Sequence, residues 1–449
     1  MYSAMHSTSY SSLIRKWTLL TVITLLLTAC DLDVSTTSGG RVISDPVGID
    51  CRETNGQCEI QNYEKLGDGN DKIVTKLTAI PDAGFRLSHW SGDCDKTVRH
   101  QCHILMQDDL AVKAHFVAVE AAQDEASNEK VRFVAVGDMG EGNHAQFLVA
   151  EAMKEVCQQA GGCQFAVGLG DNIYDDQPGD AWHEAFETKF ELPYRNLDFP
   201  FYMSLGNHDN DILIDGTGGS NMAGDIQVDY SYRQNRMSEK WKMPSRYYHF
   251  SALLTANQPL IDFFALDSNP MNSAPDINSD YRIDAYKKEQ AQWFNNTLAQ
   301  SRATWKIAYT HHPYISNGRH GNAGNYDGAP ALGPLSNRLV GKIYQAWFED
   351  TICGKVDVFF AGHDHDLQLL HSVPECGKTL FVVSGAAAKS RELKDKNRNV
   401  AYWQKGEQTG FFFTEISGNT MIIKAYEVDS PSGKYRLAHE QVFPRRTDF

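Results

Sequence analysis

Five short segments of the chain place metal-ligating side chains directly after apolar, strand-like runs. Their aspartate, asparagine and histidine residues offer a mixed ligand set that suits Fe, Zn or Mn better than a soft, thiolate-preferring ion. Taken singly, each segment also fits a turn, a helix cap or a polar loop. Their common position and their order together favour a metal centre. The segments are Gly137-Asp138-Met139-Gly140, Gly170-Asp171-Asn172-Ile173-Tyr174, Gly206-Asn207-His208-Asp209, Thr310-His311-His312-Pro313 and Gly362-His363-Asp364-His365.

Asp171 is the residue that we expect at the middle of this centre. Two cations about 3.5–4 Å apart repel each other strongly, so a shared carboxylate must lie between them. Asp171 has ligand candidates on both sides along the chain. We therefore predict that it bridges two metal ions.

The elements that must position these ligands begin at Val131. Apolar runs that alternate with helical spacing predict an α+β or α/β fold, a sandwich with helices on the outside. Strands are predicted at 131–136, 165–169, 199–205, 260–266, 305–309, 356–360 and 380–383, and helices at 144–159, 285–299 and 341–349. The glycine-rich stretch 211–225 is either a loop beside the pocket mouth or exposed filler.

The preceding 130 residues have a different organisation. Ser, Thr and Gly in residues 30–40 predict a flexible tether. Residues 41–117 alternate apolar and polar side chains, as in Leu110, Val112, Ala114 and Phe116, and predict a small all-β domain. Residues 118–130 are acidic and alanine-rich and predict a linker. A chain of 449 residues is long enough for these two folded units.

Residues 1–29 are typical of a bacterial lipoprotein signal peptide. Arg15 and Lys16 precede the apolar run 17–27, and small residues then lead to Cys30. A transmembrane anchor is the alternative, but the run is far shorter than the roughly 20 apolar residues that cross a bilayer. Lipid on Cys30 would tether the protein to the membrane of a bacterial cell envelope, on its periplasmic or surface face.

The other eight cysteines fall into neighbouring pairs, which suits an oxidising compartment. Four local disulfides are the simplest assignment, and a zinc site from the first four cysteines is the alternative. The pairs are Cys51 with Cys58, Cys94 with Cys102, Cys157 with Cys163, and Cys353 with Cys376.

The net charge of −15 argues against nucleic acid as the main partner.

The order of the five segments resembles the metallophosphoesterase superfamily, and Tyr174, three residues after Asp171, narrows the resemblance to the purple acid phosphatases. Similarity to the small tartrate-resistant type continues through 240–248, 362–368 and 383–385 and covers about 131–449. The stretch 84–94, with Cys102, resembles small β repeat modules of bacterial surface proteins. No catalytic group is expected in that module, and its ligand is unknown.

The resemblance implies which residues hold each metal. One ion would be bound by Asp138, Asp171, Tyr174 and His365, and the other by Asp171, Asn207, His311 and His363. A Tyr174 phenolate would make the first ion Fe(III), while the second would be Fe(II), Zn or Mn. The alternative for Tyr174 is a packed loop tyrosine. His312 replaces the family's usual tyrosine, and a buried spacer is favoured over a substrate-contacting group.

The implied activity is hydrolysis of small phosphate monoesters, an acid phosphatase reaction in which the metals supply hydroxide for in-line attack on phosphorus. His208 and His320 would face the phosphate and act in catalysis. The alternatives are a phosphodiesterase or nucleotide pyrophosphatase on the same metals, or a surface binding protein with secondary phosphatase activity.

Overall fold

A computed structural model describes most of the chain. The described residues are 30–45, 47–63, 74–82, 85–98, 101–105, 109–118, 130–211, 216–255, 258–276, 278–326 and 340–445. The predicted signal peptide and all but the two ends of the predicted acidic linker lie outside these ranges.

The described residues of the amino-terminal domain form ten strands. They are β1 (Cys30–Thr36), β2 (Gly40–Asp45), β3 (Asp50–Arg52), β4 (Gly56–Gln57), β5 (Glu59–Tyr63), β6 (Val74–Pro81), β7 (Phe85–Gly92), β8 (Lys96–Val98), β9 (Gln101–Leu105) and β10 (Leu110–Ala118). One sheet has the order β5-β1-β10-β7 and the other the order β4-β3-β2-β6-β9-β8. Val42, Leu77, Ile104 and Val112 belong to the core between them. The small all-β domain is thus present.

The predicted tether at residues 30–40 is wrong. β1 pairs in parallel with β10 and antiparallel with β5, and Leu32 and Val34 are buried in the domain core. Composition hid a period-two pattern, because Leu32 and Val34 alternate with Asp31, Asp33 and Ser35 as in a half-buried strand. The domain therefore begins at Cys30 among the described residues.

The remaining fourteen strands of the described residues belong to the larger domain. They are β11 (Lys130–Val136), β12 (Phe165–Leu169), β13 (Phe201–Ser204), β14 (Trp241–Lys242), β15 (Tyr248–Thr255), β16 (Gln258–Ala265), β17 (Trp305–Tyr309), β18 (Val358–Ala361), β19 (Leu367–Leu370), β20 (Leu380–Ser384), β21 (Ala401–Lys405), β22 (Thr409–Ser417), β23 (Thr420–Val428) and β24 (Tyr435–Pro444). They form two seven-stranded sheets, of order β14-β13-β12-β11-β22-β23-β24 and β15-β16-β17-β18-β20-β19-β21. One apolar cluster contains side chains of both sheets, as expected for a sandwich.

The described residues of the larger domain include five α-helices. They are α1 (His144–Gln159), α2 (Asn221–Tyr232), α3 (Asn269–Asn272), α4 (Ile283–Gln300) and α5 (Lys342–Thr351), with a π-helical turn at Glu187–Glu191 and 3-10 turns at His208–Asn210, Ser279–Tyr281 and Pro374–Cys376. No helix in the described part of the chain is long and apolar enough to span a bilayer.

Most predicted elements of this domain agree with the structure, and the differences are a helix in a predicted loop and several strands that were not predicted. The bounds of α1, β12 and β17 match the prediction residue for residue. In the predicted loop 211–225, α2 already begins at Asn221, where an Asp276 carboxylate oxygen accepts the backbone N–H at 2.6 Å. The strands β14, β15, β19 and β21–β24 were not predicted.

All four predicted disulfides are present: Cys51–Cys58, Cys94–Cys102, Cys157–Cys163 and Cys353–Cys376. The alternative of a zinc site from the first four cysteines is thereby not supported. Two of the disulfides fall in the amino-terminal domain and two in the larger domain.

Candidate metal centre

The five ligand-bearing segments meet at one edge of the sandwich because each follows the carboxyl end of a parallel strand. β11, β12 and β13 are adjacent and parallel in the first sheet, and β17 and β18 are adjacent and parallel in the second. The two edges are joined directly, since His311 Nδ1 lies 2.8 Å from the carbonyl oxygen of Leu169. The fold thus brings together the eight predicted site residues that these segments carry.

Several ligand candidates have an unusual backbone conformation. The φ angles of Asp138, Asp171 and His363 are 55°, 52° and 70°, in the left-handed region that costs a non-glycine residue roughly 1–3 kcal/mol. Gly206 is required for a related reason, because a Cβ there would lie 2.1 Å from Asp171 Oδ1. The sharp turns at these strand ends therefore aim the carboxylates and the imidazole at one another.

A first group of side chains surrounds the phenol of Tyr174. Its hydroxyl donates to Asp171 Oδ2 at 2.8 Å and lies 3.1 Å from Asp138 Oδ1. His365 Nε2 lies 3.3 Å from the same Asp138 oxygen. These four residues are the set expected for the Tyr174 ion.

A second group surrounds Nε2 of His311. This atom lies 2.9 Å from Asn207 Oδ1, 3.0 Å from His363 Nδ1 and 3.3 Å from Asp171 Oδ2. These four residues are the set expected for the other ion. Asp171 Oδ2 therefore belongs to both groups, as the bridging role requires.

The donor set fits cations. Nδ1 of His311 faces a carbonyl oxygen and therefore carries a proton. A neutral imidazole has only this one proton, so Nε2 faces the surrounding oxygen and nitrogen atoms without a hydrogen to donate to them. Burial lowers the pKa of His311, but the Asp171 carboxylate more than offsets this and raises it to about 9, so that without a metal ion a proton on Nε2 would supply the positive charge. Ligand atoms of Asp138, Asp171 and His311 all lie within 4.8 Å of one another. The surroundings thus favour positive charge at this point.

The electrostatics of Asp171 and Tyr174 fit the same interpretation. Burial raises the pKa of Asp171, but His311 and His208 outweigh it and hold that pKa well below its ordinary value. Burial and the carboxylates of Asp138 and Asp171 raise the pKa of Tyr174 well above its ordinary value. A nearby multivalent cation would offset the effect on Tyr174, because it favours the phenolate.

The two histidines predicted to face the phosphate lie beside these groups. The His208 ring is 4.6 Å from the Tyr174 ring, and its backbone N–H donates to Asp171 Oδ1 at 2.9 Å. The His320 ring is 4.1 Å from the His363 ring. His312 is buried with Nδ1 2.8 Å from Ser268 Oγ, in keeping with the favoured spacer.

Three positioning residues were missed from the sequence. Asp209 accepts the backbone N–H groups of Asn172 and Gly206 at 2.8 and 2.7 Å, and Asp364 accepts that of His320 at 2.8 Å. Both carboxylates belong to the ligand-bearing segments, so a role as hydrogen-bond acceptors for the neighbouring backbone could have been predicted. The third, Lys389, places Nζ 3.3 Å from the centroid of the Tyr174 ring, a contact that has no local sequence signal.

Comparisons with known proteins agree with this geometry. The family model of the calcineurin-like phosphoesterases matches residues 131–367, and that of the divergent InlB B-repeat domain matches residues 53–120, which confirms the two expected resemblances. Tartrate-resistant acid phosphatase type 5 of Rattus norvegicus is 25% identical over 325 residues, covering 67% of this chain and 88% of the relative. Purple acid phosphatase 7 of Arabidopsis thaliana is 26% identical over 320 residues, covering 66% and 85%.

A solved structure supports the fold alone. GAP50, the anchor in the inner membrane complex of Plasmodium, superposes with a TM-score of 0.53 at 18% identity, covering 71% of this chain and 89% of that one. All of the predicted metal ligands fall inside the matched range 131–367, which is more than half of the chain. The chain therefore belongs to the calcineurin-like phosphoesterase family and is similar, over most of its length, to purple and tartrate-resistant acid phosphatases.

Proposed function

We propose that this protein is a dinuclear metal-dependent acid phosphatase that hydrolyses phosphate monoesters. The observation that carries the proposal is the division of the strand-end ligands into two contact groups that share Asp171 Oδ2. The acid phosphatases among its relatives support the choice of monoesters.

Each group would hold one ion. Asp138, Asp171, Tyr174 and His365 would bind the first, and Asp171, Asn207, His311 and His363 the second. Fe(III) suits the first site because a trivalent ion stabilises a phenolate ligand, while the second would take Fe(II), Zn or Mn. When bound, the two ions supply a water of lowered pKa and neutralise charge on the phosphoryl oxygens.

The protein's own groups complete the chemistry. His208 and His320 border the two ligand groups, where they would donate hydrogen bonds to phosphoryl oxygens, and either could protonate the leaving alkoxide. Asp211 Oδ2 lies 3.9 Å from His208 Nδ1 and would orient that ring. Asp364 holds the backbone of His320 and so fixes the second ring.

The first test is hydrolysis of p-nitrophenyl phosphate and of its bis ester by the purified, metal-loaded protein, with metal analysis. We expect two metal ions per chain and a preference for the monoester. Asp171→Asn should lower both metal occupancy and rate, whereas exposed Asp284→Asn should change neither. A preference for the bis ester would overturn the assignment to monoesters.

Metal identity needs a separate measurement. An Fe(III)-phenolate pair gives a visible charge-transfer band, which Tyr174→Phe should abolish. The Tyr174→Phe variant is also loaded with Zn, which gives no colour, and its folding is compared with that of the Zn-loaded native protein as the control. Colourless native protein with two Zn or Mn ions would contradict the ferric site.

We also propose that Cys30 carries lipid and tethers the protein to the bacterial cell envelope. Because β1 begins at this residue, the amino-terminal domain would then lie close to the lipid surface, where its unknown ligand would also be bound. Radiolabelled palmitate should enter the native protein and not a Cys30→Ser variant, and only the variant should leave the membrane fraction. Labelling of both proteins, or of neither, would refute lipid attachment at this residue.

A further inference from the structure

A basic loop lies beside the metal centre of this acidic protein. Residues 389–398, which follow β20, contain five basic and two acidic side chains, although the chain as a whole carries a net charge of −15. The basic residues are Lys389, Arg391, Lys394, Lys396 and Arg398. The positive charge of this loop must either stabilise the fold or bind a ligand.

Some of these cations have structural partners. Lys389 pairs with Glu141 at 2.5 Å, and Arg398 donates to the carbonyl oxygens of Ser316 and Gly318 at 2.7 and 3.0 Å. These contacts give the side chains of Lys389 and Arg398 a structural role. They give no such role to the side chain of Arg391.

The contacts of Arg398 also join the basic loop to the segment that carries His320. A second link is the backbone N–H of Asp395, which donates to the carbonyl oxygen of Asn317 at 3.1 Å. The two loops are therefore fixed relative to each other, and so are the backbone positions of Arg391 and of Arg319, which immediately precedes His320.

Both arginines stand next to the residues of the metal centre. The backbone N–H of Arg391 donates to the carbonyl oxygen of His365 at 2.7 Å. Arg319 directly precedes His320, whose ring lies 4.1 Å from the ring of His363. The two charges thus lie at the His320 side of the site.

Neither guanidinium is neutralised within the described part of the chain. Arg319 is exposed and Arg391 half-buried, and no ion pair or side-chain hydrogen bond among the described residues involves either group. A guanidinium presents its donors in a planar fork that matches phosphate and carboxylate oxygens. Two such charges match a phosphate dianion better than a carboxylate.

We propose that Arg319 and Arg391 bind a second phosphoryl group of the substrate while the first is hydrolysed at the metal centre. Small molecules with two phosphate groups would then be the preferred substrates. This inference rests on the proposed phosphatase function and refines its substrate class.

The test compares matched esters by phosphate release from the full metal-loaded chain. The bisphosphates of ethylene, trimethylene and tetramethylene glycol are set against ethyl, propyl and butyl phosphate, with phosphoglycolate as the carboxylate counterpart. For at least one chain length, kcat/KM of the bisphosphate, corrected for its two equivalent ends, should be at least about tenfold higher, mainly through KM.

The variants locate the effect. Arg319→Gln and Arg391→Gln should each lower the ratio of bisphosphate to monophosphate kcat/KM by about tenfold. Lys396→Gln, which removes one charge from the same loop, should leave the ratio unchanged. If a glutamine variant fails to fold, Arg319→Lys and Arg391→Lys replace it, and a partial loss of the ratio is expected because lysine keeps the charge and loses the fork.

The possible failures are distinguishable. Equal kcat/KM for bisphosphates and monophosphates, or arginine variants with the ratio of the native protein, would overturn the inference and leave the phosphatase function standing. An equal gain with phosphoglycolate would show a general anion site and overturn the assignment to phosphate. Absence of hydrolysis of every ester would overturn the proposed function and this inference with it.

Discussion

Asp209 joins the two central ligand turns through its side-chain carboxylate. It is fully buried, and its Oδ1 accepts the N–H groups of Asn172 and Ile173 while Oδ2 accepts that of Gly206. The first two donors follow Asp171 directly, and the third precedes Asn207. This one carboxylate therefore sets the position of a ligand in each of the two groups.

Replacement of Asp209 by Asn should impair the metal centre without touching a ligand. The new amide would place an N–H₂ group against at least one of the backbone N–H donors, so one of the two turns would lose its partner. We expect metal affinity or kcat to fall by about 10- to 100-fold, as is usual for residues that orient ligands. Metal analysis of the dialysed variant checks this, with Asp284→Asn as the control; unchanged occupancy and rate would contradict the positioning role.

At the scale of elements, a buried ion pair anchors the connection between the two sheets. Arg246, between β14 and β15, donates to Asp267 Oδ2 at 2.7 Å and to Asn210 Oδ1 at 2.9 Å. Tyr286 of α4 donates to the same oxygen of Asp267 at 2.6 Å. The arginine thus joins the end of β16 to the turn that follows Asn207 and His208.

Arg246→Met should cost about 3–5 kcal/mol of unfolding free energy, because it leaves the Asp267 carboxylate buried without its counter-charge. Urea denaturation measures this loss. Lys424→Met removes a cation from a more exposed pair, 2.9 Å from Glu440, and should cost no more than about 1 kcal/mol. Similar losses of unfolding free energy in both variants would show that the buried ion pair stabilises the protein no more than the exposed one.

A second buried carboxylate, Asp262, predicts a pH dependence of the β15–β16 hairpin. Its oxygens accept the hydroxyls of Ser251 and Ser301 at 2.6 and 2.5 Å, and His249 Nε2 lies 3.1 Å away. Burial raises the pKa of Asp262, but His249 and the two serines outweigh it and lower that pKa below its ordinary value. The folded-state pKa is therefore below the unfolded one, so this stabilisation is present above about pH 4 and lost at lower pH.

Asp262→Asn should accordingly reduce the unfolding free energy near neutral pH by about 1–2 kcal/mol. The difference from the native protein should shrink as the pH falls below about 4, where the native carboxyl group also becomes protonated. Denaturation curves at a series of pH values measure it, with Asp284→Asn as the exposed control. A difference that stays constant down to the acid limit would show that charge plays no part.

The elements that could be predicted are those specified by a local sequence pattern, whereas contacts that depend on tertiary packing could not be predicted. Strand ends that bear ligands, such as those before Asp138 and Asp171, were predictable because buried parallel strands are continuous apolar runs. β1 was missed because serine and threonine obscured the alternation of Leu32 and Val34. The contact of Lys389 with Tyr174 was beyond prediction, because it depends on a long loop whose path is set by tertiary packing.

The whole molecule consists of two units with separate cores. No residue is shared between the core of the amino-terminal domain and the two apolar clusters of the larger domain. Polar contacts between the described residues of the two units include that of Tyr232, which donates to the carbonyl oxygen of Leu87 at 3.3 Å, and that of Lys76, which lies 3.7 Å from Asp280. We therefore expect two thermal transitions.

Removal of one disulfide from each unit should identify these transitions. The bonds Cys51–Cys58 and Cys157–Cys163 close loops of similar length, with sequence separations of 7 and 6, so each should contribute about 2 kcal/mol. The smaller domain has less core to compensate, so Cys51→Ser/Cys58→Ser should lower its Tm by about 10 °C. The Tm of the larger domain and kcat/KM on p-nitrophenyl phosphate should stay unchanged, because the metal centre lies in the other unit.

Cys157→Ser/Cys163→Ser is the matched control, and it should move the other transition. Scanning calorimetry of both variants, with activity assayed before heating, separates the two units. If either variant shifted both transitions together, the two domains would unfold as one cooperative body, and the amino-terminal domain would then support the catalytic domain directly through the contacts at Leu87 and Lys76.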